Sequence, residues 1–168
     1  MDDGHSLRLI DVWNEASDYF MGYSEEAPEI VLGGLAPGVM RECLHYLITT
    51  AREVTTQFVM LNTNIQVMTP SPTMAARALS AGHIGGGMWL DLPLMPTLGV
   101  FIDGPQALSI SFVRGEWDAM SLLALFVLLR ELYLMAPHVE VGLLGTDYAT
   151  EDRAGFAACV RAFCHEVA

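Results

Sequence analysis

The most constraining feature of the chain is residues 116–136, which read EWDAMSLLALFVLLRELYLMA. From Ala119 onward this apolar run is interrupted by Ser121, Arg130 and Glu131, and Pro137 follows it. At 100° per residue these three polar residues point in three different directions, so a helix here has no broad polar face. We therefore predict a central helix that is covered on nearly every side by other elements of the chain and by a second copy of it.

A membrane span is the rival interpretation of this helix. Its uninterrupted apolar part is shorter than the about 20 residues that a span needs. Arg130 and Glu131 would each cost about 2.5 to 3.5 kcal/mol at the centre of a bilayer. No basic segment followed by a short apolar run is present at the start of the chain, so no signal peptide is predicted. We expect no membrane association and a cytoplasmic location.

The chain is strongly acidic, with 20 Asp and Glu against 8 basic residues and a net charge of −12. Such a field repels phosphate backbones and anionic lipids, so no nucleic-acid partner is expected. It favours basic proteins or cations as partners. Surface acid that keeps an unusually apolar chain in solution explains the same composition equally well.

The reactive side chains exclude several chemistries. All 8 basic residues are arginine, so neither a Schiff-base lysine nor a P-loop lysine is available. Cys43, Cys159 and Cys164 are odd in number and lack a CxxC spacing, which favours free thiols. These cysteines, together with His45 and His165, also lack the close spacing of a zinc site, so neither a metal nor another cofactor is predicted.

The order of elements predicts one α+β domain over residues 1–168, with a mainly antiparallel sheet covered by helices. Apolar residues at helical spacing, with capping residues beside them, predict helices over residues 6–21, 38–54, 72–82 and 116–136 and from residue 150 onward. Runs rich in β-forming residues predict strands over residues 29–32, 88–92, 97–103, 107–113 and 138–144, and either one long strand or two short ones around residues 62–64 over residues 57–68.

Two glycine-rich segments resemble known loops. Residues 83–87, HIGGG, are similar to the glycine-rich oxyanion loop of esterases, but the chain has no G-x-S-x-G motif. We interpret them as a bend or bulge that leads into a strand. Residues 33–38 have the outline of a phosphate cradle before a helix, yet they lack the remaining residues of such motifs. A turn with Pro37 at the first helical position explains this segment.

A small set of polar residues could carry catalysis. Asp91 and Asp103 lie at the ends of two adjacent predicted strands, where paired carboxylates could perform acid–base chemistry. His83 and Arg114 are the other polar candidates for a pocket between the central helix and the sheet. Turn formation and outward placement on a strand explain the two aspartates without catalysis.

A cationic line is predicted on the second helix, where Arg41, His45 and Arg52 fall within about 40° of one another. The line could bind an anionic ligand, pair with the acidic loop at residues 25–26, or contact an acidic patch on another copy of the chain. Pairing within or between chains is favoured, because acidic groups are abundant on this protein.

These observations favour a non-enzymatic, acidic protein–protein interaction module of the adaptor, immunity or chaperone-like kind. We expect it to self-associate and to bind a protein partner, with a basic protein favoured. The alternative is a small enzyme or small-molecule-binding domain with its pocket between the central helix and the sheet.

Overall fold

The computed structural model describes residues 11–60, 66–67, 74, 77–79, 81–104 and 106–165. The helices are α1 (residues 11–16, continued by a 3-10 turn at Ser17–Tyr19), α2 (Pro37–Thr50), α3 (Ala119–Met135) and α4 (Thr150–His165). Residues 77–79 are also helical. The strands are β1 (Glu29–Gly33), β2 (Glu53–Met60), β3 (Gln66–Val67), β4 (Ile84–Asp91), β5 (Leu98–Gly104), β6 (Ala107–Ser111) and β7 (Glu140–Leu144).

The seven strands form one sheet in the order β3-β2-β4-β5-β6-β1-β7, and every neighbouring pair is antiparallel. The central part, β4-β5-β6, is a meander of consecutive strands. Helix α2 connects β1 to β2 across the sheet, and α3 connects β6 to β7 with β1 between them. This architecture confirms the predicted α+β fold with an antiparallel sheet and packed helices.

One face of the sheet is apolar and carries the helices. Side chains alternate between the two faces of a strand, so each strand contributes every second residue to this face. The contributing residues join a core cluster that includes buried residues of α2, α3 and α4. The strand residues of this face that are buried are Ile30, Leu32, Phe58, Ile84, Met88, Leu90, Leu98, Val100, Leu108, Ile110 and Leu143. Burying each such side chain stabilises the fold by about 1.5–3 kcal/mol.

Helix α3 has the position predicted for it at 116–136, between α2 and α4. A reciprocal capping box sets its start: the Ser121 amide donates to the Asp118 carboxylate over 2.8 Å, and the Ser121 hydroxyl accepts from the Asp118 amide over 2.9 Å. Pro137 follows soon after its last residue. Within the described part of the chain, no helix is long and apolar enough to cross a membrane.

Among the described residues, no element covers one flank of α3. Along this flank Met120 is 54% exposed, Val127 36% and Leu134 64%. We call these three residues the α3 stripe. The sheet, α2 and α4 bury the other sides of the helix, and nothing in the described chain covers the stripe. The expected coverage by a second copy of the chain stays a prediction.

Two boundaries differ from the sequence prediction. Helix α2 ends at Thr50 rather than near Val54, and β2 begins at Glu53 rather than Gln57. The Arg52 amide donates to the Asp91 carbonyl over 2.8 Å and so draws the chain into the sheet. The β-branched residues that follow, in the segment EVTT, also favour a strand.

The glycine trio predicted as an entry to β4 lies inside that strand. Gly86 has φ +110°, and a Cβ there would collide with the Gln57 backbone of β2. Gly87 is required for another reason, because the ring of Phe101 on β5 lies over it. Close approach of neighbouring chain therefore explains these two glycines.

We expect Gly86→Ala to lower the free energy of unfolding by about 3 kcal/mol, because the new methyl group meets backbone and the positive φ disfavours alanine. Gly38→Ala is the matched control. It lies in α2 with nothing within 4 Å of the added Cβ, so it should be neutral or stabilise by up to about 1 kcal/mol. Urea denaturation measures both, and equal effects would contradict this account of β4.

We also expect Asp118→Ala to lower the free energy of unfolding by about 1 kcal/mol at neutral pH, as typical for loss of an N-cap. Hydrogen bonds from Ser121 hold the pKa of the Asp118 carboxyl below its ordinary 3.8. The stabilisation is therefore complete above pH 3.8 and is lost as the pH falls through the lower pKa of the folded state. Thermal unfolding from pH 7 to pH 2 should show the wild type and the variant converging, while Glu25→Ala, in an exposed loop, stays close to wild type.

Candidate functional site

The sheet face opposite the helices carries a continuous polar and aromatic surface. Its members alternate with the core residues along each strand and do not belong to the core cluster. We call this surface the outer sheet face. Its residues are Glu29, Val31, Glu53, Thr55, Gln57, Trp89, Asp91, Phe101, Asp103, Ser109, Ser111, Glu140 and Leu144.

An aromatic pair lies near the middle of the outer sheet face. The rings of Trp89 and Phe101 meet edge to face, with centroids 5.8 Å apart. Phe101 lies over Gly87 of the neighbouring strand β4 and over Gly99 of its own strand β5, and neither glycine has a side chain. Trp89 remains 36% exposed. Exposed aromatic residues, whose rings are large, rigid and apolar, are typical of protein-binding surfaces.

All charged residues in the described strands are carboxylates, and all of them lie on the outer sheet face. They are Glu29, Glu53, Asp91, Asp103 and Glu140. Asp91 accepts a hydrogen bond from the Arg52 guanidinium over 3.0 Å. Burial raises the pKa of Glu29, and the negative charge of Asp103 raises this pKa further. A cation brought to this face would relieve that repulsion.

Ser109 lies between Phe101 and Val31 in the register of the outer sheet face. It is completely buried, and its hydroxyl has no hydrogen-bond partner among the described residues. The residues around Phe101 are small: Ser109 and Ser111 have short side chains, and Gly87 and Gly99 have none.

The structure separates the predicted catalytic candidates. Asp91 ends β4, whereas Asp103 is near the end of β5, and these neighbouring strands are antiparallel. Leu90 pairs with Leu98 and Gly87 with Phe101, so Asp103 lies at the other end of the pair, about 20 Å from Asp91. The two aspartates therefore do not form a carboxylate pair. His83 is exposed, just before β4.

Arg114 has a structural position away from the other candidates. Its guanidinium lies 5.2 Å from the centre of the Tyr148 ring and donates to the Asp18 carbonyl over 3.3 Å. It also lies 3.9 Å from the Asp147 carboxylate, and 14% of its side chain is exposed. These contacts join the segment after α1 to the segment before α4. Only two buried residues of the described chain are polar: Ser121, in the first turn of α3, and Ser109, on the outer sheet face.

The structure keeps Arg41 and His45 of the predicted cationic line together on α2 but separates Arg52 from them. Arg52 lies beyond the end of α2 and pairs with Asp91 instead. Arg41 and His45 do share one groove of about 550 Å³, whose lining also includes Arg77, Tyr46 and Met135. Neither Arg41 nor His45 has an ion pair among the described residues, and the acidic loop at 25–26 lies beside Arg153 rather than in this groove.

The cysteines are free, as predicted. Cys43 and Cys164 are buried, and burial raises the pKa of each thiol to about 11. Cys159 is half-buried, and its pKa is raised by burial and by the charge of Glu15. Within the described part of the chain, no group of three His, Cys, Asp or Glu residues could hold a metal ion.

Comparison of the chain with models of known protein families, with curated proteins and with solved structures gives no match.

We expect the folded protein to resist thiol alkylation at pH 8. With a pKa of about 11, about one in a thousand Cys43 or Cys164 side chains is a thiolate at that pH, and both are buried. Mass spectrometry with iodoacetamide should show Cys159 modified first. The chain unfolded in urea should react quickly at all three cysteines, and rapid reaction of folded Cys43 would contradict the described packing of α2.

Proposed function

We propose that this protein is a non-enzymatic interaction module, of the adaptor, immunity or chaperone-like kind, which self-associates and binds a basic protein partner. One observation carries the proposal: every charge in the described strands is a carboxylate on the outer sheet face, which also carries the aromatic pair Trp89–Phe101. The alternative, a small enzyme or small-molecule-binding domain with its pocket between the central helix and the sheet, is less favoured, because the buried residues of α3 and of the inner sheet face are apolar apart from Ser121.

The chemistry of the outer sheet face favours a partner that presents arginine or lysine. Aromatic rings supply apolar contact area, and guanidinium groups also stack on such rings. Carboxylates around an aromatic centre select for cations and against acidic competitors. The net charge of −12 strengthens the long-range attraction of a basic protein and increases its rate of association.

The proposal is tested with a nonaarginine peptide as the probe, because it presents the proposed chemistry without a fold of its own. A fourfold variant removes the unpaired carboxylates of the outer sheet face through Glu29→Gln, Glu53→Gln, Asp103→Asn and Glu140→Gln. A matched fourfold control removes carboxylates from α1 and the following loop through Asp11→Asn, Glu15→Gln, Glu25→Gln and Glu26→Gln.

Both variants change the net charge from −12 to −8, since each loses four negative charges. At about 0.5 kcal/mol for each exposed contact, the outer-face variant should bind about thirtyfold more weakly than the wild type. The control should lose a few-fold at most. Fluorescence anisotropy over a salt series gives these affinities, and binding should weaken as salt rises. Equal weakening in both variants would show that total charge, rather than this face, binds the probe.

A further inference from the structure

The α3 stripe lies beside an apolar groove on the helical side of the molecule. The groove, of about 300 Å³, is bounded by α2, by the loop containing Leu94 and Met95, and by α3. Leu94 is 68% exposed and has φ +67°, the one positive φ of a non-glycine residue in the described chain. The groove and the stripe together expose large apolar side chains that solvent-facing helices of single chains usually avoid.

We propose that a second copy of this chain docks on the α3 stripe, with the two α3 helices antiparallel and a two-fold axis at Val127. This inference deepens the self-association named in the proposed function. It assigns the surface, the direction of the helices and the residue on the axis.

The spacing of the stripe suits a two-fold partner. Met120 lies seven residues before Val127 and Leu134 seven residues after it. Seven residues are about two helical turns, so the three side chains share one side of α3. In an antiparallel pair about Val127, Met120 of each copy meets Leu134 of the other. A two-fold interface requires this kind of self-complementarity, in which each contact occurs twice.

The charges at the two ends of α3 are also complementary under the same rotation. The groove that contains Arg41, His45 and Arg77, with Glu42 as its one acidic residue, also includes Met135 and therefore lies at the C-terminal end of α3. Glu116 and Asp118, both exposed, lie at its N-terminal end. An antiparallel partner brings the acidic end of one copy towards the cationic groove of the other. A parallel arrangement would place like charges together at both ends, at a cost in free energy.

The surface around α3 supplies a large part of the area that a stable dimer interface needs. Helix α3, with 17 residues, is about 25 Å long. With half of α2 and half of α4 on either side, the helical layer is about 20 Å wide, because packed helices lie about 8–10 Å apart. The projected area is thus about 500 Å², and the accessible area of such a ridged surface is larger. Stable interfaces bury about 800 Å² on each partner, about a tenth of the 9208 Å² surface of this chain.

Cysteine cross-linking of the full chain tests the geometry. Two facing Cα atoms on helices at this separation are about 5 Å apart, within reach of a disulfide. Val127→Cys should therefore give a covalent dimer on mild oxidation. Neither Met120→Cys nor Leu134→Cys should do so alone, because each residue is about 21 Å from its own equivalent. An equimolar mixture of these two variants should cross-link.

Leu144→Cys is the matched control, since Leu144 is 44% exposed and lies on the outer sheet face, on the other side of the sheet from α3. It should remain monomeric on a non-reducing gel. Cross-linking of Met120→Cys alone would overturn the antiparallel arrangement, and failure of Val127→Cys to cross-link would overturn the position of the axis.

Sedimentation velocity tests the association itself without cross-linking. Wild type should be a dimer, and Val127→Glu a monomer with unchanged circular dichroism, because it places two carboxylates at the axis. Arg41→Glu and Glu116→Arg should each weaken the dimer at least tenfold, and the double variant should restore it. A monomeric wild type at all concentrations overturns the inference.

The outcome for the dimer is separable from the outcome for the basic partner. Val127→Glu leaves the outer sheet face intact, so it should bind the nonaarginine peptide with the affinity of wild type. A monomeric protein that still binds the peptide would overturn the α3 interface alone. A dimer that does not bind the peptide would overturn the basic partner alone.

Discussion

The alternation of side chains along the strands determines the organisation of the molecule. Each strand that contributes to the core presents large apolar residues to one face and small, aromatic or acidic residues to the other. Helices can bury their apolar surfaces only against the first face, so α2, α3 and α4 pack there. The second face is left with the carboxylates and with the pair Trp89–Phe101. The separation of core and interaction surface therefore follows from one periodicity of two residues.

Helix α3 both packs into the core and exposes an apolar flank, and its sequence does not distinguish the residues of these two surfaces. Its composition is apolar on almost all sides, which predicts burial correctly but gives no periodicity from which an uncovered flank could be identified. The structure shows that sheet and flanking helices cover the sides with Leu125, Leu129 and Leu132 and leave Met120, Val127 and Leu134 exposed. Only the positions of the neighbouring elements distinguish these two sets.

The fold class, the central helix and most strands could be predicted because their signals are local. The start of β2 could not, because the Arg52 amide is held by Asp91, which is 39 residues away in the sequence. The role of the glycines in β4 could not be predicted for a similar reason. Gln57 and Phe101, which exclude a side chain at Gly86 and Gly87, lie on neighbouring strands that are distant in the sequence.

The candidate site was predicted less well than the fold. Asp91 and Asp103 do lie at or near the C-terminal ends of their strands, as predicted. Because β4 and β5 are antiparallel, however, these two ends lie at opposite ends of the strand pair. Arg114 was a reasonable polar candidate, yet its contacts with Asp18 and Tyr148 are between segments distant in sequence. The sequence does contain one signal for the outer sheet face: the charged residues of the predicted strands are all acidic, and they alternate with apolar residues.

The two-sided layering of the molecule has a consequence for valency. The α3 stripe lies on the helical side and the outer sheet face on the opposite side, so neither surface obstructs the other. A pair joined back to back through α3 would present two identical receptor surfaces facing away from each other. Such a particle could bridge two ligand molecules, or hold one repetitive ligand by both ends with an avidity far above that of a single contact. The geometry of one sheet would then set the stoichiometry of a larger complex.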